Sequence, residues 1–269
     1  MSGSLPRHVG IRMVLGPRRG VEFAQLAVLV ALGGLALGVP TAHAQVFMGE
    51  SDHYVTPQHF ALEFRFGPYK PDIDSEFPGG IHPYRDFFGN SRRLMSQVEG
   101  DYQILHHVGS LGVGFAVGYF SESANNPTNA PGYAITADST TLRLIPLSLS
   151  AVYRFDLPWE RWRVPLVPYA KLGLDYVIWT VTDGNGDIPE PAVGGKGQGG
   201  TWGWHAAAGL SFVLNFLDPG SARQFDSETG INSTHLFFEW TRSDVSGLGA
   251  SAKLHVCDNT WTAGMLFEF

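Results

Sequence analysis

Seven ionisable residues, Glu63, Arg65, Arg143, Lys171, Asp175, Glu239 and Glu268, fall on the more polar parity of segments whose alternate positions are large and apolar. In an extended chain successive side chains point to opposite faces, so residues of one parity share a face. Four of the seven are acids and three are bases. Taking an unpaired charge out of water costs on the order of several kcal/mol. Mixed signs on one enclosed face therefore point to ion pairs that fill and neutralise a polar interior. A narrow conduction path is the competing chemistry for the same residues.

Other groupings carry less. Asp183, Asn185 and Asp187 alternate along the chain, with Glu190 beyond them. Calcium loops use that spacing because alternate oxygen-bearing side chains converge on one cation. Here Ile188 stands where the loop needs glycine, and no glutamate occupies its twelfth position, so the segment reads as a turn. His106 and His107 are adjacent and would face opposite ways in a strand, which disfavours a shared metal. His205 and Ser211 share a parity, but six residues of strand span roughly 20 Å, beyond hydrogen-bond reach. No serine lies within one or two inward steps of His205 on its own strand. His235 and Glu239 have a zinc-ligand spacing only on a helix, and their segment reads as a strand. Cys257, the one cysteine, forms no intrachain disulfide and reads as filler in a loop. The expectation is a chain without enzymatic activity, with no catalytic, cofactor-binding or metal-binding residues and no cofactor.

Charged residues make up 16% of the 269 residues and aromatics 13%, with 33 glycines. An average globular chain is about 25% charged. Low charge with many aromatics and glycines suits strands that face lipid. A net charge of −7 gives no reason to expect nucleic acid as a partner. The N-terminal segment has Arg7, Arg12, Arg18 and Arg19, an apolar run over 24–39, and small residues at Ala42 and Ala44 around His43. This is the layout of a secretory signal peptide over 1–44. Either Met1 or Met13 can serve as its start. Pro17 and the residues after Arg19 fit twin-arginine export poorly, which favours the general secretory route.

Residues 45–269 then read as one barrel domain. Period-two alternation predicts strands over 60–67, 100–108, 111–120, 139–155, 165–182, 201–216, 233–242 and 260–269. A short helix is predicted within 84–95 and a helical turn after Asp218-Pro219. The apolar parity of the fourth strand switches near Pro146, from Leu142 and Leu144 to Leu147 and Leu149, which predicts a β-bulge there. The connections 68–98, 121–138, 183–200 and 243–259 are long, whereas 109–110 and 156–163 are short and 217–232 is the exception. Long connections at one end and short ones at the other are the mark of a membrane barrel. Trp159 and Trp162 in a short connection fit an interfacial girdle.

The segment Phe60-Ala-Leu-Glu-Phe-Arg-Phe-Gly-Pro-Tyr-Lys-Pro-Asp-Ile-Asp74, with Asp218-Pro219 and the closing strand, resembles a family of predicted outer-membrane β-barrels found in myxobacteria and their relatives. That family carries no assigned activity, so the resemblance implies location and fold and transfers no catalytic residue. The closing strand is expected to pair with the first, and Phe269 resembles the terminal aromatic read by the barrel-assembly machinery. The fold class expected is all-β: an eight-stranded antiparallel up-and-down transmembrane β-barrel in the bacterial outer membrane. Its partners would be outer-membrane lipids, the barrel-assembly machinery during biogenesis and an unidentified extracellular partner. A structural or surface-interaction role is the leading reading. A small-solute channel and a lipid-modifying barrel enzyme are the alternatives. Mass spectrometry of the exported protein should find Gln45 at its N-terminus; an intact leader would refute the processing site.

Overall fold

The computed structural model describes residues 59–77, 79–80, 82–127, 135–188, 197–248 and 254–269. The leader expected over 1–44 and the segment up to 58 lie outside them. Eight antiparallel strands close into a barrel in chain order. They are β1 (Phe60–Tyr69), β2 (Arg93–His106), β3 (Ser110–Pro127), β4 (Ile135–Arg154), β5 (Leu166–Thr182), β6 (Gln198–Val213), β7 (Ser233–Asp244) and β8 (Asp258–Glu268). Closure is made by β1 and β8, with Ala61 opposite Glu268 and Phe66 opposite Ala263. The expected pairing of the first and last strands is therefore present, and among the described residues the barrel leaves no free sheet edge.

Alternation sets the two faces. Phe115, Leu149, Leu172, Leu174, Phe238 and Trp261 stand on the outside, with Leu172 63% and Phe238 53% exposed. The opposite parity is buried in the lumen and includes Glu63, Arg65, Glu99, Lys171, Asp175 and Glu239. Such a distribution, apolar outside and ionic inside, is the reverse of a water-soluble barrel.

Several boundaries differ from the sequence expectation. β2 begins at Arg93, because Met95, Gln97 and Glu99 already alternate inward opposite Gly67, Arg65 and Glu63 of β1. The helix predicted within 84–95 is the shorter α1 (Pro83–Phe88). β3 and β4 extend through most of the region expected as a loop over 121–138, pairing as far as Asn125 with Ser139 and Pro127 with Ile135. The helical turn after Asp218 is a full helix, α3 (Pro219–Thr229), while α2 (Leu157–Trp162) occupies the β4–β5 connection. Asp218 caps α3 by accepting the N–H groups of Gly220 and Ser221 at 3.0 Å each.

There is no bulge at Pro146. Ile145, Pro146 and Leu147 pair in continuous register with Ile178, Val177 and Tyr176. Leu142, Leu144, Ser148 and Ser150 all face the lumen. The apolar parity switches because the lumen itself changes from apolar near the long connections to polar further in. Arg143, expected inside, consequently stands on the outer parity with Ile145.

Gly264 sits at the closing seam, where a Cβ would press on the Phe64 carbonyl and lie 2.8 Å from the Phe237 ring. Gly264→Leu should cost about 1–3 kcal/mol by overpacking. Urea unfolding in detergent, followed by gel mobility of unheated samples, reads this directly.

Candidate functional site

The lumen is layered. Nearest the long connections, Tyr69, Phe120, Leu142, Leu144, Val177, Val245 and Val256 form an apolar plug, joined by Ile73 and Tyr84 from the β1–β2 connection. The Tyr69 and Phe120 rings meet edge to face at 5.1 Å, and the Tyr69 hydroxyl donates to the Val256 carbonyl at 2.7 Å. α1 is fastened over this plug. Asp74 accepts the backbone N–H groups of Tyr84 at 2.7 Å and Arg85 at 3.2 Å, and the Tyr84 hydroxyl donates to Glu122. Burial, together with that bond to Glu122, holds the Tyr84 hydroxyl well above its ordinary pKa, so it remains a donor.

Below the plug lies an ionic layer. Glu63 is 1% exposed and meets three cations: Arg65 Nη2 at 2.9 Å, Arg154 Nη2 at 2.6 Å and Lys171 Nζ at 2.6 Å. Glu99 takes Lys171 at 3.0 Å and also pairs with Arg65. Asp101 pairs with Arg154, and Glu239 lies 3.4 Å from Arg65 and 3.8 Å from Lys171. Glu63, Glu99 and Asp101 bring carboxylate oxygens within 4.8 Å of one another, a grouping that could hold a cation. In this arrangement the ammonium and guanidinium groups supply the positive charge to those oxygens.

Of the seven ionisable residues expected inside, Glu63, Arg65, Lys171 and Glu239 converge here, while Asp175 and Glu268 pair with histidines elsewhere in the lumen. Arg143 does not join them. Sequence reading missed Glu99, Asp101 and Arg154. Glu99 lies just before the predicted strand at 100, whereas Arg154 lies on the parity opposite Leu149 and Tyr153, so its inward position was legible. The signal for the acids was present as Gln97, Glu99, Asp101 and Gln103 alternating with Val98, Gly100, Tyr102 and Ile104.

Between plug and ionic layer, three strands assemble a hydrogen-bonded chain. Ser150 Oγ (β4) lies 3.1 Å from His205 Nε2 (β6), and His205 Nδ1 lies 2.7 Å from Asp175 Oδ1 (β5). Ser148 donates to the same Asp175 oxygen at 2.6 Å. The serine absent from the strand of His205 is thus supplied two strands away, across Gly173, which pairs with both Ser150 and His205. A Cβ on Gly173 would lie 2.5 Å from His205 Cε1 and 2.9 Å from Ser150 Oγ, so only glycine lets the imidazole cross β5. Ser211 instead reaches His235 Nδ1 at 3.2 Å, and His235 Nε2 faces Glu268 at 3.3 Å. His235 and Glu239 are on a strand, without the helical zinc-ligand spacing.

The Asp183 segment forms a turn in which Asp183 Oδ1 accepts the N–H groups of Asn185 at 3.0 Å and Asp187 at 2.9 Å. Glu190 lies outside the described residues. Cys257, in the β7–β8 connection, faces Asp244 at 3.5 Å, and burial pushes its thiol up to about 11.

No family model and no curated protein matches the sequence. Among solved structures, the chain is similar to the attachment invasion locus protein Ail of Yersinia pestis, with 11% identity over 79% of this chain and 97% of that one and a TM-score of 0.39. It is also similar to the outer membrane protein OprG of Pseudomonas aeruginosa, with 13% identity over 79% and 96% and a TM-score of 0.39. A major outer membrane protein of Thermus thermophilus gives 15% identity over 79% and 100%, with a TM-score of 0.40. The fold of this chain rests on its own closed strand order, and these likenesses carry no functional argument.

Glu63→Leu would leave three buried cations short of their common partner and should cost about 3–5 kcal/mol in urea unfolding. For Cys257, alkylation by iodoacetamide should be slow at neutral pH and rise about tenfold per pH unit until near its raised pKa, because only the thiolate reacts. A plateau near pH 8 would contradict the burial of that thiol.

Proposed function

We propose that the chain is an integral β-barrel of the bacterial outer membrane, with a structural or surface-interaction role carried by its outer wall and long connections. The observation that carries this reading is the reversal of faces: an apolar exterior around a lumen in which the charges are buried and paired. Strands of 10 to 20 residues are ample for a tilted crossing, which takes about 9–11. Outer-membrane lipids are then the partner of Leu149, Leu172 and Phe238. The long connections, including α1 fastened over the mouth, would face outward and meet an extracellular partner. Export would depend on the leader over 1–44, and insertion on the barrel-assembly machinery.

A small-solute channel is less well supported. The apolar plug and the Glu63 layer both lie across the lumen, as expected where about eight strands leave only enough room for side chains. A lipid-modifying enzyme is also less well supported, because Ser150 and His205 face the lumen and are 3% and 6% exposed.

Leu172→Lys, near the middle of the lipid-facing wall, should lower folding into bilayers by about 2–4 kcal/mol. Asp187→Lys, in a connection, should leave it unchanged. Purified protein should give no discrete conductance steps in planar bilayers and should fractionate with the outer membrane, shifting mobility on heating. A soluble protein with one mobility would overturn the membrane assignment, and steady conductance would overturn the sealed lumen.

A further inference from the structure

Resting on the membrane reading above, we propose that the β4–β5 connection is a docking surface for anionic phospholipid in the leaflet that meets the short connections, with Arg161 and Arg163 as its phosphate contacts. α2 gathers the parts on one short turn. Trp159, Glu160, Arg161, Trp162 and Arg163 follow one another, and Val164 comes next. Pro158 lies in the first turn, where its missing N–H costs no helical hydrogen bond. The helix ends on Arg163, in the left-handed region at φ 55°, a position that more often goes to glycine. The Arg163 N–H donates to the Trp159 carbonyl at 3.1 Å, and the Val164 N–H donates to the Pro158 carbonyl at 3.0 Å. The Arg163 guanidinium stands over the Trp159 ring, 5.4 Å from its centroid.

Arg161, Trp162, Arg163 and Val164 are all exposed, and Trp162 is 69% so. An indole with its amphipathic ring left uncovered suits the level where headgroups meet hydrocarbon. The neighbours extend that surface. Tyr153 ends the outward face of β4, and Leu166 begins that of β5; both are exposed. Tyr153 also donates to the Val108 carbonyl at 2.5 Å, which fastens the exposed β2–β3 turn to the same strand end. The patch therefore adjoins the apolar wall.

Its charge selects the lipid. Among the described residues neither Arg161 nor Arg163 has an ion pair or a side-chain hydrogen bond. The contact of Arg163 with the Trp159 ring uses no N–H donor, so both guanidinium forks remain open to phosphate oxygens. Two acids lie nearby. Asp156 is half-buried at the start of α2, and Glu160 is exposed but pairs with neither arginine. A zwitterionic lipid brings its own cation to compete with the arginines, whereas an anionic one brings none.

The test refolds the full-length barrel in mixed micelles with equal amounts of phosphatidylglycerol and phosphatidylcholine of the same chains, and counts retained lipids by native mass spectrometry. Each basic side chain at an anionic lipid surface strengthens the attraction roughly fivefold, so wild type should favour phosphatidylglycerol by up to about 25-fold. High salt should reduce that ratio. Arg161→Gln/Arg163→Gln should lower it roughly fivefold or more. Arg161→Lys/Arg163→Lys should keep most of it, because the charge stays while the side chains change shape. Fractionation and heat-shifted gel mobility report separately on the barrel: a soluble protein with one mobility would sink the membrane reading itself. A heat-modifiable barrel that retains the two lipids equally, or keeps its full preference in Arg161→Gln/Arg163→Gln, would overturn the phospholipid site alone.

Discussion

The position of Glu63 is the constraint on which the inner structure depends. Three cations from β1, β4 and β5 share this one carboxylate, and each also meets an acid from another strand. A buried carboxylate without these partners would be far costlier than an apolar residue of the same size. The network therefore ties β1, β2, β4, β5 and β7 together across the lumen, in addition to the backbone ladder. Space for it comes from β3, whose inward residues Gly112, Gly114, Ala116 and Gly118 are small and let the acids of β2 occupy the lumen.

The apolar plug above it solves a different problem. The end bearing the long connections is closed by Phe120, Leu142, Leu144 and Tyr69, and the β1–β2 connection covers it with Ile73 and Tyr84. Buried hydrophobic area does there what ion pairs do below. The joint between the two layers is where polar side chains border a cavity, and there the Ser150–His205–Asp175 chain is built. A scaffold needs only the two filled layers. At the joint the strands β4, β5 and β6 are tied by hydrogen bonds instead.

Surface and interior thus have separable roles. Leu149, Leu172, Phe238 and Trp261 present the lipid-compatible wall, and the Glu63 layer is confined to the lumen behind it. Substitution at Glu63 acts on the cohesion of the lumen and leaves the outer wall untouched.

Strand number, the antiparallel barrel and, for most strands, the parity that faces outward were legible in the order of residues alone. Period two is a local property, so Trp261, Met265 and Phe267 against Thr260, Thr262 and Glu268 could be sorted with no knowledge of neighbours. The same alternation placed Glu63, Arg65, Lys171 and Glu239 inside. It failed at Pro146, because it equates apolar with outward and the plug makes the upper lumen apolar as well. Which inward residues meet was settled by the folded barrel. Cross-strand register places Ser150 and His205 on opposite sides of Gly173, and no spacing along one strand encodes that. The same holds for Glu99, Asp101 and Arg154 around Glu63. A contact between strands depends on relative height and on the room left by the residue between them, and closure of the barrel sets both.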